Sequence, residues 1–180
     1  MWWPRSGRRA TSASITSTIT SCLSIAQAPV QLSPMATLET LITRFRSADR
    51  NTRLETLLDY SRKLPPLPPE YEALKAQGKN LVPECQTPVY LWIGVADGKV
   101  RLHADVPRES PTVRGFVALL IKALDGLSPA EVAAVPGDLL DQLQLTETLG
   151  MTRTQGLTSI LGRIKRSVTT PALQDASPGT

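Results

Sequence analysis

The cysteine at position 85 is the side chain in this sequence with the clearest potential for covalent chemistry. The segment "VPECQTPVY" (82–90) places it between Pro83 and Pro88, ahead of an apolar run. Residues that precede proline favour an extended backbone, and proline cannot donate a backbone hydrogen bond. We therefore expect Cys85 on a stiff, non-helical loop that leads into a strand. Composition alone leaves two interpretations open, a nucleophilic thiol or a small buried apolar side chain.

Partners for a catalytic cysteine are scarce. His103 is the only histidine and could in principle act as a base toward Cys85. In a strand, however, His103 would point to the same face as Arg101, which favours an exposed histidine on a solvated strand face. No Walker loop or dinucleotide fingerprint is present, and one histidine with one core cysteine cannot close a four-ligand zinc site. A cysteine-dependent hydrolase is therefore disfavoured.

The first 34 residues differ in composition from the rest of the chain. They are rich in Ser and Thr and contain Arg5, Arg8 and Arg9 but no acidic residue. An organelle transit peptide, a weak secretory signal and an over-called start codon before Met35 are all compatible with this composition. We exclude the segment from the fold, and Cys22 with it. The one remaining cysteine cannot form an intrachain disulfide, which favours a reducing compartment: the cytoplasm, or a plastid or mitochondrion if the leader is a transit peptide.

Charge and hydropathy exclude two classes of partner. The chain has a net charge of +4, but three of its 20 basic residues and none of its 16 acidic residues precede Met35, so the remainder carries only +1. Such a balance gives no basic stripe for a phosphate backbone, and nucleic acid is not expected as a partner. No apolar run approaches the roughly 20 residues that span a bilayer. We therefore expect no membrane insertion.

The elements that must position Cys85 are helices, a hairpin and further helices. Apolar spacing predicts two amphipathic helices across 38–45 and 54–64, and the proline run "LPPLPPEY" (64–71) ends the second in an extended conformation. The turn pair Asp97-Gly98 predicts a tight hairpin, with a first strand covered on both faces and a second strand that has one wet face.

The C-terminal half contains clear helix signals. Ser110-Pro111 predicts the start of a helix that runs to Leu124, and Ser128 opens a capping box for another. An apolar helical run follows across 139–145. The segment Thr152–Gln155 reads as a second capping box for a last helix, and residues 171–180 form a polar tail.

The order of these segments resembles the SufE family, cysteine desulfuration proteins that accept sulfur from a cysteine desulfurase during iron–sulfur cluster assembly. The resemblance runs from about Leu38 to Ser167, and its most specific part is "CQTPVY" (85–90), similar to the family's Gly-Cys-Gln-Ser-x-Val-Trp. Further similar blocks are "LPPLPPEY" (64–71), "LHAD" (102–105), "TVRGFVALL" (112–120) and "MTRTQGLTSIL" (151–161). Glu84 stands where the family usually has glycine, and Tyr90 where it has tryptophan.

The resemblance implies an α+β fold over residues 35–170, in which a small antiparallel sheet of about three strands packs with helices from both ends of the chain. It also implies that Cys85 takes a sulfur atom as a persulfide and passes it on, so the protein would be a carrier and desulfurase activator rather than a stand-alone enzyme. The residues implied to bind the partner are Gln86, Asp105, Glu109, Arg114 and Arg153. The turn 105–110 is about two residues longer than in the family, so either Asp105 or Glu109 could match the family's functional acid.

The implied partners are a SufS-like cysteine desulfurase and a SufBCD-like scaffold complex. No metal and no cofactor is expected on this chain, because pyridoxal phosphate belongs to the desulfurase. The sequence leaves monomer and homodimer open. The alternative from another class is a non-catalytic adaptor that binds through "PPLPP" (65–69), although a rigid connector is the favoured interpretation of that segment.

Overall fold

The first two helices of the structure follow the apolar spacing of the sequence. The computed structural model describes residues 34–170, so the predicted tail and, apart from Pro34, the predicted leader lie outside the described residues. Helix α1 spans Pro34–Ser47 and α2 spans Arg50–Arg62. Asp49 caps α2 by accepting a hydrogen bond from the Thr52 amide at 2.9 Å, and this bond lowers the pKa of the Asp49 carboxyl. Both predicted helices are confirmed.

The proline run ends α2 and then starts a helix that the sequence did not predict. Residues 64–68 have no regular secondary structure and Pro68 is extended, but α3 spans Pro69–Ala76, with Pro69 in its first turn. Proline fits this position because its fixed φ is helical and the first-turn amides have no partner inside the helix. The expectation that the whole run 64–71 excludes helix was therefore wrong for its last three residues.

The hairpin forms at the predicted turn. Strand β1 spans Tyr90–Ala96 and pairs antiparallel with β2, which spans Lys99–Asp105. Asp97 and Gly98 connect them with φ angles of 53° and 70°, the left-handed values that a tight hairpin turn of this hand needs. The sheet has two strands rather than about three. Leu81 adds one isolated bridge to Tyr90, because Pro83 follows so soon that a longer ladder cannot form.

The first strand is covered on both faces, as predicted. Trp92 is 1% exposed, and its ring lies 5.2 Å from that of Tyr71 on α3 and 6.3 Å from that of Tyr90. Its indole N–H has no oxygen or nitrogen partner within residues 34–170. The opposite face of the hairpin packs into the main core through Leu91, Ile93, Val100 and Leu102. Helix α3 thus covers the side of the sheet that faces away from the main core.

Helix α4 is the buried centre of the fold. It spans Pro111–Leu124, and nine of its residues are buried. Gly115 allows α2 to approach closely, since a Cβ on Gly115 would stand 2.0 Å from the Leu57 carbonyl oxygen. Ser110 occupies the N-cap position, but its side chain makes no capping hydrogen bond. The helix begins and ends where the sequence predicts, without the predicted cap contact.

Four helices complete the described chain: α5 (Pro129–Ala134), α6 (Leu139–Gln142), α7 (Leu145–Leu149) and α8 (Met151–Thr169). The capping box at Ser128 is present, with Glu131 as its second member. The run 139–145 is broken at Gln144, whose φ of 52° interrupts the helix. The capping box predicted at Thr152 is absent, because the left-handed φ of 82° at Gly150 lets α8 start at Met151 and places Thr152 inside it.

None of the helices within residues 34–170 is long and apolar enough to cross a membrane.

Candidate functional site

The cysteine loop is closed at its base by two buried valines. Val82 is 1% exposed and Val89 is fully buried, and the Val82 amide donates to the Val89 carbonyl oxygen at 2.8 Å. Residues 83–88 project from this base without regular structure. The geometry follows from the prolines at both ends of the loop, which withhold two backbone donors and favour extended neighbours. The predicted non-helical loop is present, and its stiffness stays a prediction.

The Cys85 side chain is half-buried on the surface of α8. It packs against the edge of the hydrophobic core, while its neighbours Glu84 and Gln86 are exposed. A Cβ built on Gly156 would lie 3.4 Å from Cys85 Sγ and 3.6 Å from Cys85 Cα. The thiol therefore rests where α8 has no side chain. It is neither a core residue nor a fully exposed one.

A cavity of about 230 Å³ lies beside the cysteine loop. Thr87, two residues from the thiol, lines it together with Glu109, Arg153 and the first turn of α4. Thr87 Oγ1 also donates to Ser110 Oγ at 3.4 Å, which connects the loop to the start of α4. The structure thus brings together two of the predicted partner-binding residues, Glu109 and Arg153, and both are exposed.

Asp105 is placed differently from Glu109. It is the last residue of β2, and its carboxylate forms an ion pair with Lys75 of α3 at 2.9 Å. The hydrogen bond to Asp105 raises the pKa of the Lys75 ammonium. Asp105 does not line the cavity beside Cys85. Its predicted role in partner binding stays a prediction.

Arg114 is half-buried and bonded within the protein. Its Nε donates to the Ser61 carbonyl oxygen at 2.9 Å, and its Nη1 donates to the Val106 carbonyl oxygen. These bonds connect α2, the end of β2 and α4. Arg114 also lines a separate cavity of about 340 Å³ with Ser61, Arg62 and Arg108. Its visible contacts are structural, and partner binding by Arg114 also stays a prediction.

His103 is not the exposed histidine that strand alternation predicts. It is half-buried, and its ring lies 5.0 Å from that of Tyr71. The alternation rule failed because α3, the helix missing from the sequence interpretation, covers this part of the supposedly wet face. His103 stands opposite Trp92 in the hairpin and packs against an aromatic ring, which does not support a role as a base toward Cys85.

The proline segment lies against the protein's own surface. Pro65 and Pro66 line a cavity of about 500 Å³ whose other walls are β2 and α4. Leu64 is buried and anchors the segment. This placement suits a connector between α2 and α3 better than a ligand for another domain.

No group of three or more His, Cys, Asp or Glu side chains within residues 34–170 is placed to hold a metal ion.

Sequence reasoning missed two residues of this site. In the sequence Gly156 is distinguished only as part of the segment 151–161, although it forms the surface on which the thiol rests. In the sequence Thr87 is distinguished only as the residue before Pro88, although it lines the cavity with Arg153. A glycine in the interior of a helix was the one available signal, because helices disfavour it unless packing requires it.

These features define a class: a small α+β protein with one half-buried loop thiol at the meeting point of three segments distant in sequence. Comparison with known proteins assigns the family. The family model described as "SufE: Fe-S metabolism associated domain" matches residues 39–168. The chain belongs to the SufE family.

Individual relatives agree with this assignment. A SufE-like protein of Mycobacterium tuberculosis (strain H37Rv) is 36% identical over 132 residues, which is 73% of this chain and 90% of the relative. The sulfur acceptor protein CsdE of Escherichia coli (strain K12) is 35% identical over 127 residues, 69% of this chain and 82% of the relative. A solution structure of a hypothetical protein from Thermus thermophilus has a TM-score of 0.63 at 37% identity, and the match covers 73% of this chain and 93% of that one.

Proposed function

We propose that this protein accepts sulfur from a cysteine desulfurase onto Cys85 and passes it on for iron–sulfur cluster assembly. The observation that carries the proposal is the loop thiol itself: Cys85 is half-buried at the surface of α8, between exposed neighbours. Membership of the SufE family and similarity to a sulfur acceptor protein support it. By this proposal the chain is a persulfide carrier that stimulates its partner.

The proposed transfer is a thiol exchange. The Cys85 thiolate attacks the outer sulfur of a persulfide on the desulfurase, and a new S–S bond forms on Cys85. The S–S bond on the partner breaks, and the partner's cysteine leaves as a thiolate that takes up a proton. No net oxidation or reduction occurs, and the rate depends on thiolate fraction and on access to the thiol. Pyridoxal phosphate acts only on the partner, so this chain needs no cofactor of its own.

The proposed docking residues are Glu109 and Arg153. Both are exposed and line the same cavity as Thr87. Thr87 is two residues from Cys85 in the loop. Of the two candidate acids, we propose Glu109 rather than Asp105, because the Asp105 carboxylate is already paired with Lys75 at 2.9 Å. Opposite charges side by side would set the orientation of a partner more than they would add to its affinity.

The later steps and the compartment are also proposals. A SufBCD-like scaffold would receive the sulfur, through the same loop and by a second exchange. The cytoplasm is the proposed location, or a plastid or mitochondrion if residues 1–34 are a transit peptide. N-terminal sequencing of the mature protein from its own cells distinguishes these locations.

Desulfurase stimulation tests the function. Purified desulfurase is assayed for alanine release from free cysteine with wild-type protein, with Cys85→Ser and with Cys22→Ser. Cys85→Ser should no longer stimulate the desulfurase. Cys22→Ser should stimulate it as the wild type does, since Cys22 lies outside the matched region. Circular dichroism should show that Cys85→Ser keeps the fold. Stimulation by Cys85→Ser equal to that of the wild type would refute the proposed mechanism.

A further inference from the structure

The surface of α8 under the cysteine loop is made by a single glycine. Gly156 is buried in the second turn of this helix. The three atoms nearest to a Cβ there, outside the helix's own backbone, would all belong to the cysteine loop: Cys85 Sγ at 3.4 Å, Cys85 Cα at 3.6 Å and the Glu84 carbonyl oxygen at 3.8 Å. Glycine is unfavourable in a helix interior compared with alanine. The contact with the loop gives a reason for its presence.

We propose that Gly156 is a positioning residue that seats the Cys85 thiol against α8 and so keeps it withdrawn in the free protein. This inference rests on the proposed function, for which a thiol of controlled access is needed. A carrier whose persulfide or thiol stayed fully exposed would lose sulfur to stray thiols and would oxidise readily, because both reactions follow thiolate character and access. The seat restricts that access without using a metal or a second cysteine.

The tip of the loop is held only lightly on this seat. Within the described part of the chain, two hydrogen bonds involve residues 84–88, and both are long: the Cys85 amide donates to the Val82 carbonyl oxygen at 3.4 Å, and Thr87 Oγ1 donates to Ser110 Oγ at 3.4 Å. The shorter bond, at 2.8 Å, lies at the base of the loop between Val82 and Val89. The tip can therefore move off α8 while the base stays closed.

A docked partner would contact the same face of α8. Arg153 precedes Gly156 by three residues, so the two lie one turn apart on one face of the helix. Arg153 also shares its cavity with Thr87 of the loop. A partner bound at Arg153 would thus lie beside the seat and could hold the loop away from it, which delivers the thiol for exchange.

The experiment measures thiol access without any partner. All variants are made in a Cys22→Ser background, so that iodoacetamide labels Cys85 alone. Gly156→Ala and Gly156→Leu add one and four heavy atoms to the seat. The matched controls are Gly162→Ala and Gly162→Leu in the same helix, where a Cβ would meet only the flexible end of Arg166, with Nη1 at 3.2 Å.

The expected result is a faster alkylation rate for Gly156→Leu, while Gly156→Ala, whose Cβ would make only ordinary contacts with the loop at 3.4 to 3.8 Å, should label near the wild-type rate. The leucine variant should react at least about threefold faster than wild type, since alkylation follows the exposure of the thiol. The excess should persist on the high-pH plateau of the rate profile, where the thiol is fully ionised, because access and not ionisation has changed. The variants at position 162 should label at the wild-type rate.

Melting curves distinguish local displacement of the cysteine loop, which should leave the melting temperature nearly unchanged, from destabilisation of the whole protein, which should lower it. Gly156→Ala places its methyl in ordinary contact with the loop and should melt no lower than wild type. If Gly156→Leu fails to fold, Gly156→Val with Gly162→Val as its control carries the test, because valine also adds bulk beyond Cβ. A folded Gly156→Leu or Gly156→Val variant that labels at the rate of its position-162 control would overturn the seat. The labelling assay contains no desulfurase, so it tests the seat independently of the proposed function. If labelling supports the seat but Cys85→Ser still stimulates the desulfurase fully, only the proposed function is overturned.

Discussion

At the scale of residues, the proposed site depends on which charged side chains already have an ion pair or hydrogen bond inside the protein. Asp105 is paired with Lys75, and Arg114 donates to two backbone carbonyl groups, so both have partners inside the protein. Within residues 34–170, Glu109 and Arg153 form no ion pair, and they line the cavity next to the cysteine loop. Of the charged residues predicted to bind the partner, the two without an ion pair therefore line one cavity beside the cysteine loop.

Replacement of Arg153 tests this assignment. Arg153→Ala should weaken binding to the desulfurase by on the order of 1 kcal/mol, about a fivefold rise in Kd, as expected for an interface arginine. Its melting temperature should stay within a few degrees of wild type, because the side chain is exposed. Isothermal titration calorimetry and thermal melts measure the two effects. Arg166→Ala, an exposed arginine in the last turn of the same helix, is the control and should bind normally. An Arg153→Ala variant with wild-type affinity would leave this arginine as an ordinary surface charge.

At the scale of elements, the contact between α2 and α4 depends on Gly115. An alanine Cβ at this position would stand 2.0 Å from the Leu57 carbonyl oxygen, so one helix must move. Gly115→Ala should lower the free energy of unfolding by about 3 kcal/mol or more, or prevent folding, although alanine is the better helix former. Urea unfolding measures this. Gly162→Ala, which meets only the end of Arg166, should be neutral or stabilising, and a similar result for Gly115→Ala would show that α2 and α4 are not tightly packed.

The capping box of α5 should make stability depend on pH. Hydrogen bonds from the Ser128 backbone amide and then from its hydroxyl lower the pKa of Glu131 below the usual 4.5. A depressed carboxyl pKa gives stabilisation that is present above the unfolded value and is lost as the pH falls through the folded value. Glu131→Ala should therefore melt below wild type at neutral pH, and the gap should narrow as the pH falls below 4.5. Melting curves from pH 7 downward check it, and a gap that does not change with pH would contradict the role of the ionised carboxylate.

Local signals account for most of the elements that the sequence predicted. The hairpin depends on two adjacent residues, Asp97 and Gly98, and the capping box of α5 depends on four, so a single sequence contains the necessary information. The errors arose where one signal has two meanings. A proline can end one helix and begin another, as Pro69 does, and a Thr-x-x-Gln segment caps nothing when an upstream glycine such as Gly150 starts the helix earlier.

The site could be predicted only in part, because it is built from contacts between distant segments. The proline spacing around Cys85 predicts a loop with an available thiol. Nothing local shows that Gly156 lies under that thiol, or that Glu109 and not Asp105 lies beside Arg153. Tyr71, which packs against His103, belongs to α3. That helix is not predicted from the sequence, because a proline run favours an extended backbone.

At the scale of the whole molecule, the site requires three segments that are distant in sequence to meet. The cysteine loop precedes the hairpin, the cavity includes the first turn of α4, and the seat belongs to α8. These three segments meet because the hairpin, α4 and α8 share one hydrophobic core, to which Val89, Phe116 and Ile160 contribute. Loss of the core would therefore separate the thiol from its proposed docking residues even if each segment kept its local structure.

The overall charge of the protein does not select a partner. From Met35 onward the net charge is only +1, so long-range steering is weak and recognition must come from local contacts. The cavity with Glu109 and Arg153 provides such contacts on one side of the loop. We therefore expect replacement of either residue to weaken the interaction with a desulfurase more than a change of charge elsewhere on the surface does.

The most direct test of the account is to detect the sulfur on Cys85. The protein is incubated with a cysteine desulfurase and free cysteine, alkylated without reductant, digested and analysed by mass spectrometry. The account predicts that the peptide containing Cys85 gains the mass of one sulfur atom, that this mass is lost on reduction, and that the peptide containing Cys22 is unchanged. Desulfurase turnover with no added sulfur on Cys85, in a protein that is folded by circular dichroism, would contradict the central claim.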